Sequence, residues 1–166
     1  MTSIDVILDD NVAAAAEVLE AASRAGDAWN TPRTPGGWSP AQVVEHVSLT
    51  LEQGTAVVSG RQSKFPNFPA LLRPLVRALY YNRVLKQERF PRSRTTAALE
   101  PSQAGAALAE ADARLQAAVR NFNQACRDRL ANGRPLQHPV FGTVSVESYA
   151  RFQVLHIRHH RTQLPP

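Results

Sequence analysis

A chain of 166 residues with 43% apolar and 20% charged residues is long enough to bury roughly 70% of its extended-chain surface as one domain spanning 1–166, and this composition excludes long disordered stretches. The net charge of +5 is not spread as a nucleic-acid-binding coat: nine Arg and Lys fall within residues 61–94 against Glu88 alone, leaving the rest slightly acidic. No apolar run approaches the roughly 18 residues that span a bilayer. Acids occupy the N-terminal stretch where a signal peptide needs basic residues. The expectation is a cytoplasmic protein with neither nucleic acid nor membrane as partner.

The first element, Val6 to Trp29, is an alanine-rich helical pattern with its acids toward the start, where they complement the helix dipole. It stops in NTPRTPGG, whose prolines and glycines require a loop. In GWSPAQVVEHVSLTLEQG, Ser39 reads as an N-cap, Pro40 fills the first helical position and Gln42 closes a capping box. The basic segment that follows sets Leu71, Leu72, Leu75, Val76 and Leu79 at helical spacing with arginines between. Pro74 opens or kinks its N-terminal part, so a short irregular helix is predicted there.

A long amphipathic helix is predicted from Ser102 to about Leu130, its apolar stripe including Leu108, Leu115, Val119, Phe122 and Cys126, with Asn132-Gly133 as the stop. Cys126, the chain's single cysteine, fits there as a small buried thiol. The loop GRPLQHPVFGTVS leads to a last helix starting near Ser145 and running through the histidines to the closing prolines. Strand periodicity is absent apart from VFGTV. The fold class is therefore all-α, a bundle of three or four long helices with an additional short irregular helix.

Three of the five histidines lie in LHIRHHRTQL near the end of the chain. On a helix His156 and His160 project about 40° apart, one turn above the other, so their imidazoles can share one ion. His159 points to the flank, while Tyr149, Phe152 and Gln163 border the central line. Histidines near a helix C-terminus also suit the dipole and can simply be solvated. His46, on the capped helix at the edge of an apolar face, shifts the balance, because two helices of a bundle offering inward histidines make a more specific arrangement than either alone. Three imidazoles form the ligand set of an open, catalytic-type metal site and suit zinc, nickel, copper or iron. Glu45 projects off the axis of His46 and reads as a surface or outer residue rather than a base. His138, in the loop, reads as exposed or as lining a pocket mouth.

The stretches WSPAQVVEH and HPVFGTVSVESYARFQVLHIRHHRTQL resemble the DinB-like superfamily of metal-binding four-helix bundles: a Trp-Ser helix start with a first ligand, then a G-x-(S/T) cap and an H-x-x-x-H pair with trailing glutamine. The resemblance covers nearly the whole chain and departs from the usual pattern at Gln42, where glutamate is common. It implies an up-and-down four-helix bundle in which His46, His156 and His160 hold a divalent ion, usually zinc or nickel; His159, Gln163, Tyr149 and His138 read from their own positions as outer or pocket residues. It also implies a metal-dependent S-transferase using a low-molecular-weight thiol such as bacillithiol, mycothiol or glutathione, or a hydrolase, acting on a small-molecule substrate. The alternatives are a non-catalytic, metal-stabilised dimeric stress-response or binding protein, and anion binding through the basic segment. Small bundles of this kind often pair, so a homodimer is expected.

Overall fold

The long helices form where the pattern predicts them, and their ends show why. In the structure, a computed structural model describing residues 3–91, 99–102 and 104–166, helix α1 spans Ser3–Ser23 and gives way to a 3-10 turn at Gly26–Ala28. It is thus shorter than the pattern through Trp29 suggested, because Gly26 takes φ +52, a left-handed value that ends α-helical geometry. Helix α2 spans Pro40–Val58. A short irregular helix follows as α3 (Arg73–Val76), a π-helical stretch (Arg77–Tyr81) and α4 (Asn82–Gln87). Helix α5, Leu108–Ala131, starts six residues after the predicted Ser102, and α6 spans Val146–Arg161. Arg92 and Arg94 of the basic segment and Gln103 lie outside the described residues.

Helices α1, α2, α5 and α6 enclose one apolar core, including Leu8, Val18, Val47, Leu51, Leu115, Phe122 and Ile157, each at most 1% exposed. The all-α four-helix bundle is as expected, and its helix directions refine the up-and-down reading. Arg127 pairs with Asp5 at 3.8 Å and Asn123 donates to the Leu8 carbonyl at 2.9 Å, so α5 runs antiparallel to α1. Arg158 reaches Asp10, and Ser3 and Ile7 share a groove with Arg151 and Val154, so α6 runs parallel to α1. Arg114 pairs with Glu52 near the start of α5, and Phe122 lies beside Gly54 further along, so α2 and α5 are parallel. The order is up-down-down-up rather than strictly alternating. The crossover that returns the chain between α2 and α5 is the long 59–107 segment, which contains the irregular helix.

This order has a direct consequence for the histidines. It sets α2 antiparallel to α6, so the start of α2 meets the end of α6. In a strictly alternating bundle those two helices would be parallel, and His46 would lie at the opposite end from His156. Gly54 allows the close approach of α2 to α5, since a Cβ there would sit 3.1 Å from the Phe122 ring.

Two local readings differ from the structure. A short antiparallel hairpin pairs β1 (Leu136–His138) with β2 (Gly142–Val144), so the strand signal in VFGTV has a partner that carried no alternating pattern of its own. In this segment, Leu71 and Leu72 just before α3 and Leu75 and Leu79 within the irregular helix are 93%, 47%, 55% and 65% exposed, while Tyr81 and Val84 are buried. The π-helical stretch holds one more residue per turn than α-helical spacing assumes, which shifts the inward face from Leu79 onto Tyr81 and Val84. Arg77 donating to the Thr143 carbonyl and Tyr81 bonded to Ser148 at 2.9 Å tie this helix to the hairpin and α6.

Candidate metal centre

The site is built from the first turns of α2 upward. Ser39 Oγ accepts from the Gln42 amide at 3.3 Å and Gln42 Oε1 accepts from the Ser39 amide at 2.9 Å, completing the predicted capping box. The same turns hold a piece of the crossover. Gln42 Nε2 donates to the Ser102 carbonyl at 3.0 Å, and Glu45 accepts from the Ser102 amide at 3.1 Å and hydroxyl at 2.7 Å. That anchors the segment whose Leu99 carbonyl lies 2.7 Å from His46 Nδ1. A carbonyl only accepts, so His46 Nδ1 carries the proton and its Nε2 presents a lone pair.

From α6, His156 and His160 project side by side, with their Nε2 atoms 3.1 Å apart. His46 Nε2 lies 3.4 Å from His156 Nε2. His160 Nδ1 is 3.1 Å from Gln163 Oε1, which fixes its proton on Nδ1 and turns a second Nε2 lone pair inward. His156 Nε2 therefore faces two lone pairs and can donate to only one of them. Its own Nδ1 is buried without a hydrogen-bond partner. Ligand atoms of the three residues all lie within 4.8 Å of one another, forming a group that could hold a metal ion. Nitrogens at tetrahedral angles on an ion with bonds of about 2.05 Å stand about 3.3 Å apart, close to the two spacings seen here.

The surroundings keep these rings neutral. Burial is the main cause in each: it lowers His46 against an opposing hydrogen bond to Leu99, and it lowers His160 to about 3 with His46 adding to the effect. His156 is pushed well below the ordinary 6.5 by burial, then by His160 and His46. Neutral imidazoles are the ligand form, so no proton has to leave when a cation enters near neutral pH. The donor set fits a divalent ion.

A family model of the DinB superfamily matches residues 8–164. The chain belongs to the DinB superfamily. Comparison with curated proteins and with solved structures gives no match. Membership in the DinB superfamily and the converged triad together fit a metal-binding protein, and among the described residues no helix is long and apolar enough to cross a membrane.

The other residues singled out in this DinB chain divide by place. Gln163 is at the triad, on His160. His159 is half-buried beside it, its ring 5.2 Å from that of His160 and 5.8 Å from Phe90. Tyr149 and His138 lie together, rings 5.2 Å apart, roughly 10 Å down α6 from His156 and away from the triad. His138, which its loop position marked as exposed or lining a pocket mouth, is only 2% exposed. The reason is local: its Nδ1 accepts from the Val140 and Phe141 amides at 3.1 and 3.4 Å, which folds the ring into the hairpin turn. Two arginines of α6 near the triad, Arg158 and Arg161, are engaged by Asp10 and the Pro165 carbonyl.

Three contributors to the site carried little or no signal in the sequence. Trp38 sets its ring at a tilt 4.6 Å from His46 and stacked 5.9 Å from His160, a contact that only its place next to the N-cap hinted at. Phe90 packs 5.2 Å from His156, and the Leu99 carbonyl holds His46. Both of these come from the crossover, whose path no local pattern reveals.

Proposed function

We propose that His46, His156 and His160 bind one divalent ion, zinc or nickel, and that the chain is a metal-dependent enzyme acting on a small molecule. The observation that carries this is the convergence of two fixed Nε2 lone pairs on the Nε2 of a third imidazole. Three protein ligands leave a coordination position for a substrate atom, the pattern of catalytic rather than structural sites. When bound, a divalent ion lowers the pKa of a thiol or water into the physiological range and polarises substrate oxygen.

The chain's own residues supply binding and shape. Leu99 and Gln163 hold two imidazoles in the ligating tautomer, and Trp38 and Phe90 wall the site with apolar rings that limit water. No carboxylate belongs to the group, and Glu45 is occupied by Ser102 and, at 3.6 Å, by Arg114. Transfer of a low-molecular-weight thiol to an electrophile, which needs no protein base, therefore suits the site better than hydrolysis.

A screen of glutathione, mycothiol and bacillithiol against aryl halide and epoxide electrophiles tests the reading. The expected result is thiol consumption that is lost with chelator and in His46→Ala. One observation favours a non-catalytic reading in its place: the triad joins α2 to α6, so an ion would cross-link two helices. Metal that raises Tm while every thiol and ester probe remains unturned selects that reading. The proposal includes a homodimer, for which exposed Leu72, Leu75 and Leu79 offer apolar surface. Light scattering that finds single chains removes it.

A further inference from the structure

At the end of the bundle opposite the triad, a cleft of about 430 Å³ opens between the end of α2, the loop after it, the end of α5 and β1. The stretch of α2 from His46 to Val57 is roughly 17 Å long, so the two places are separate. Three arginines, Arg61, Arg73 and Arg129, line the cleft together with Ser63, Gln137 and His138, and no Asp or Glu lines it. The arginines elsewhere that do pair with acids, Arg24, Arg114, Arg127, Arg151 and Arg158, use Glu20, Glu45, Glu52, Asp5, Glu88 and Asp10. Among the described residues, none of the three cleft arginines has such a partner.

The cleft is held in shape. Arg73 is clamped by donating to the Phe68 carbonyl and to Asn67 Oδ1, both at 2.8 Å, which fixes its charge in place without neutralising it. Arg129 Nε is buried without a hydrogen-bond partner. Gly60, at φ +72, brings the backbone close to this side chain: a Cβ there would lie 3.5 Å from Arg129 Nη1. His138, which also lines the cleft, has its Nδ1 used by two backbone amides, so the neutral ring carries its proton on Nε2. Like charges gathered in one concavity repel one another, and an unpartnered buried N–H costs free energy. An anion in the cleft offsets the repulsion.

We propose that this cleft is a second ligand site, one that takes a phosphate group, free or as the ester of a small molecule, between Arg61, Arg73 and Arg129. Guanidinium forks approaching from three segments match a tetrahedral oxyanion, whose several oxygens accept from different directions, better than a planar carboxylate. Phe65 and Val57 provide the apolar wall for the carbon part of an ester.

The test is amide-resolved NMR titration of the intact protein with inorganic phosphate and, in parallel, with glycerol 3-phosphate, at physiological salt. Saturable shifts at Gly60, Gln62, Ser63 and Gln137 are expected, with affinity falling about tenfold or more in Arg129→Gln and in the more exposed Arg61→Gln. Arg83→Gln, on α4, leaves the affinity unchanged, and so does His46→Ala at the other end. Tighter binding of glycerol 3-phosphate than of phosphate identifies the ester as the ligand class, and the reverse identifies the free ion. Shifts that never saturate, that are indifferent to both cleft arginines, or that vanish in His46→Ala overturn the proposal.

Discussion

The two ends of the bundle each bury an imidazole, and the contrast lies in what its nitrogens face. At one end His46 is 2% exposed and turns a bare Nε2 toward two more histidines. At the other His138, equally 2% exposed, turns Nδ1 to its own turn and is surrounded by aromatic rings. Burial depresses the protonation of both, so depressed protonation does not separate ligand from scaffold. Convergence does: only the first end offers several lone pairs to one point.

Substitution at each end sharpens this comparison most strongly. His156→Ala is expected to weaken metal binding by more than the roughly 100-fold that losing an outer hydrogen-bond partner costs, read by competition with a chromophoric chelator. His138→Ala leaves metal affinity intact but costs roughly 2–4 kcal/mol in denaturant unfolding, from a cavity and two amides left without an acceptor. Release of the metal by His138→Ala would break the comparison.

Acid probes the scaffold end next. Burial holds His138 at about 3 against 6.5 for a free ring, so the unfolded chain binds a proton there that the folded chain refuses. Its contribution to stability is complete above pH 6.5 and is lost as pH falls toward 3. Urea midpoints of metal-free protein are expected to decline across that window, and less steeply in His138→Asn, whose Oδ1 can still accept from the turn amides. An identical decline in both proteins would remove His138 from this account.

Gln163→Ala tests the outer support of the triad. Loss of the acceptor on His160 Nδ1 is expected to cost roughly 10- to 100-fold in metal affinity, and unchanged affinity would show that the tautomer is held by other means. The smallest effect belongs to the cap: Ser39→Ala removes the acceptor for the Gln42 amide and is expected to cost about 1 kcal/mol in thermal or urea unfolding. A loss within error would mean that Gln42 alone secures the start of α2.

The parts legible in the chain are those written in local chemistry. Ser39, Pro40 and Gln42 announce α2, Asn132-Gly133 stops α5, and the four-residue spacing of His156 and His160 places two imidazoles on one face. The parts that were not legible depend on the path of the crossover. Whether α2 and α5 run parallel is decided by the course of the 59–107 segment, which its local helical spacing does not set, and that choice brings His46 to α6. The Leu99 carbonyl has no side-chain signature at all. The π-helical stretch at Arg77–Tyr81 breaks the very periodicity used to read it, so the leucines face outward and Tyr81 inward. His138 was hidden by a turn in which its ring stands in for a backbone acceptor.

Whether one ion is held between α2 and α6 is decided by elemental analysis of protein purified without an affinity tag. About one zinc or nickel per chain is predicted for the unaltered protein, with nearly none in His46→Ala or in His160→Ala although both remain folded by circular dichroism. Metal that is well below one per chain and indifferent to both substitutions would contradict this prediction.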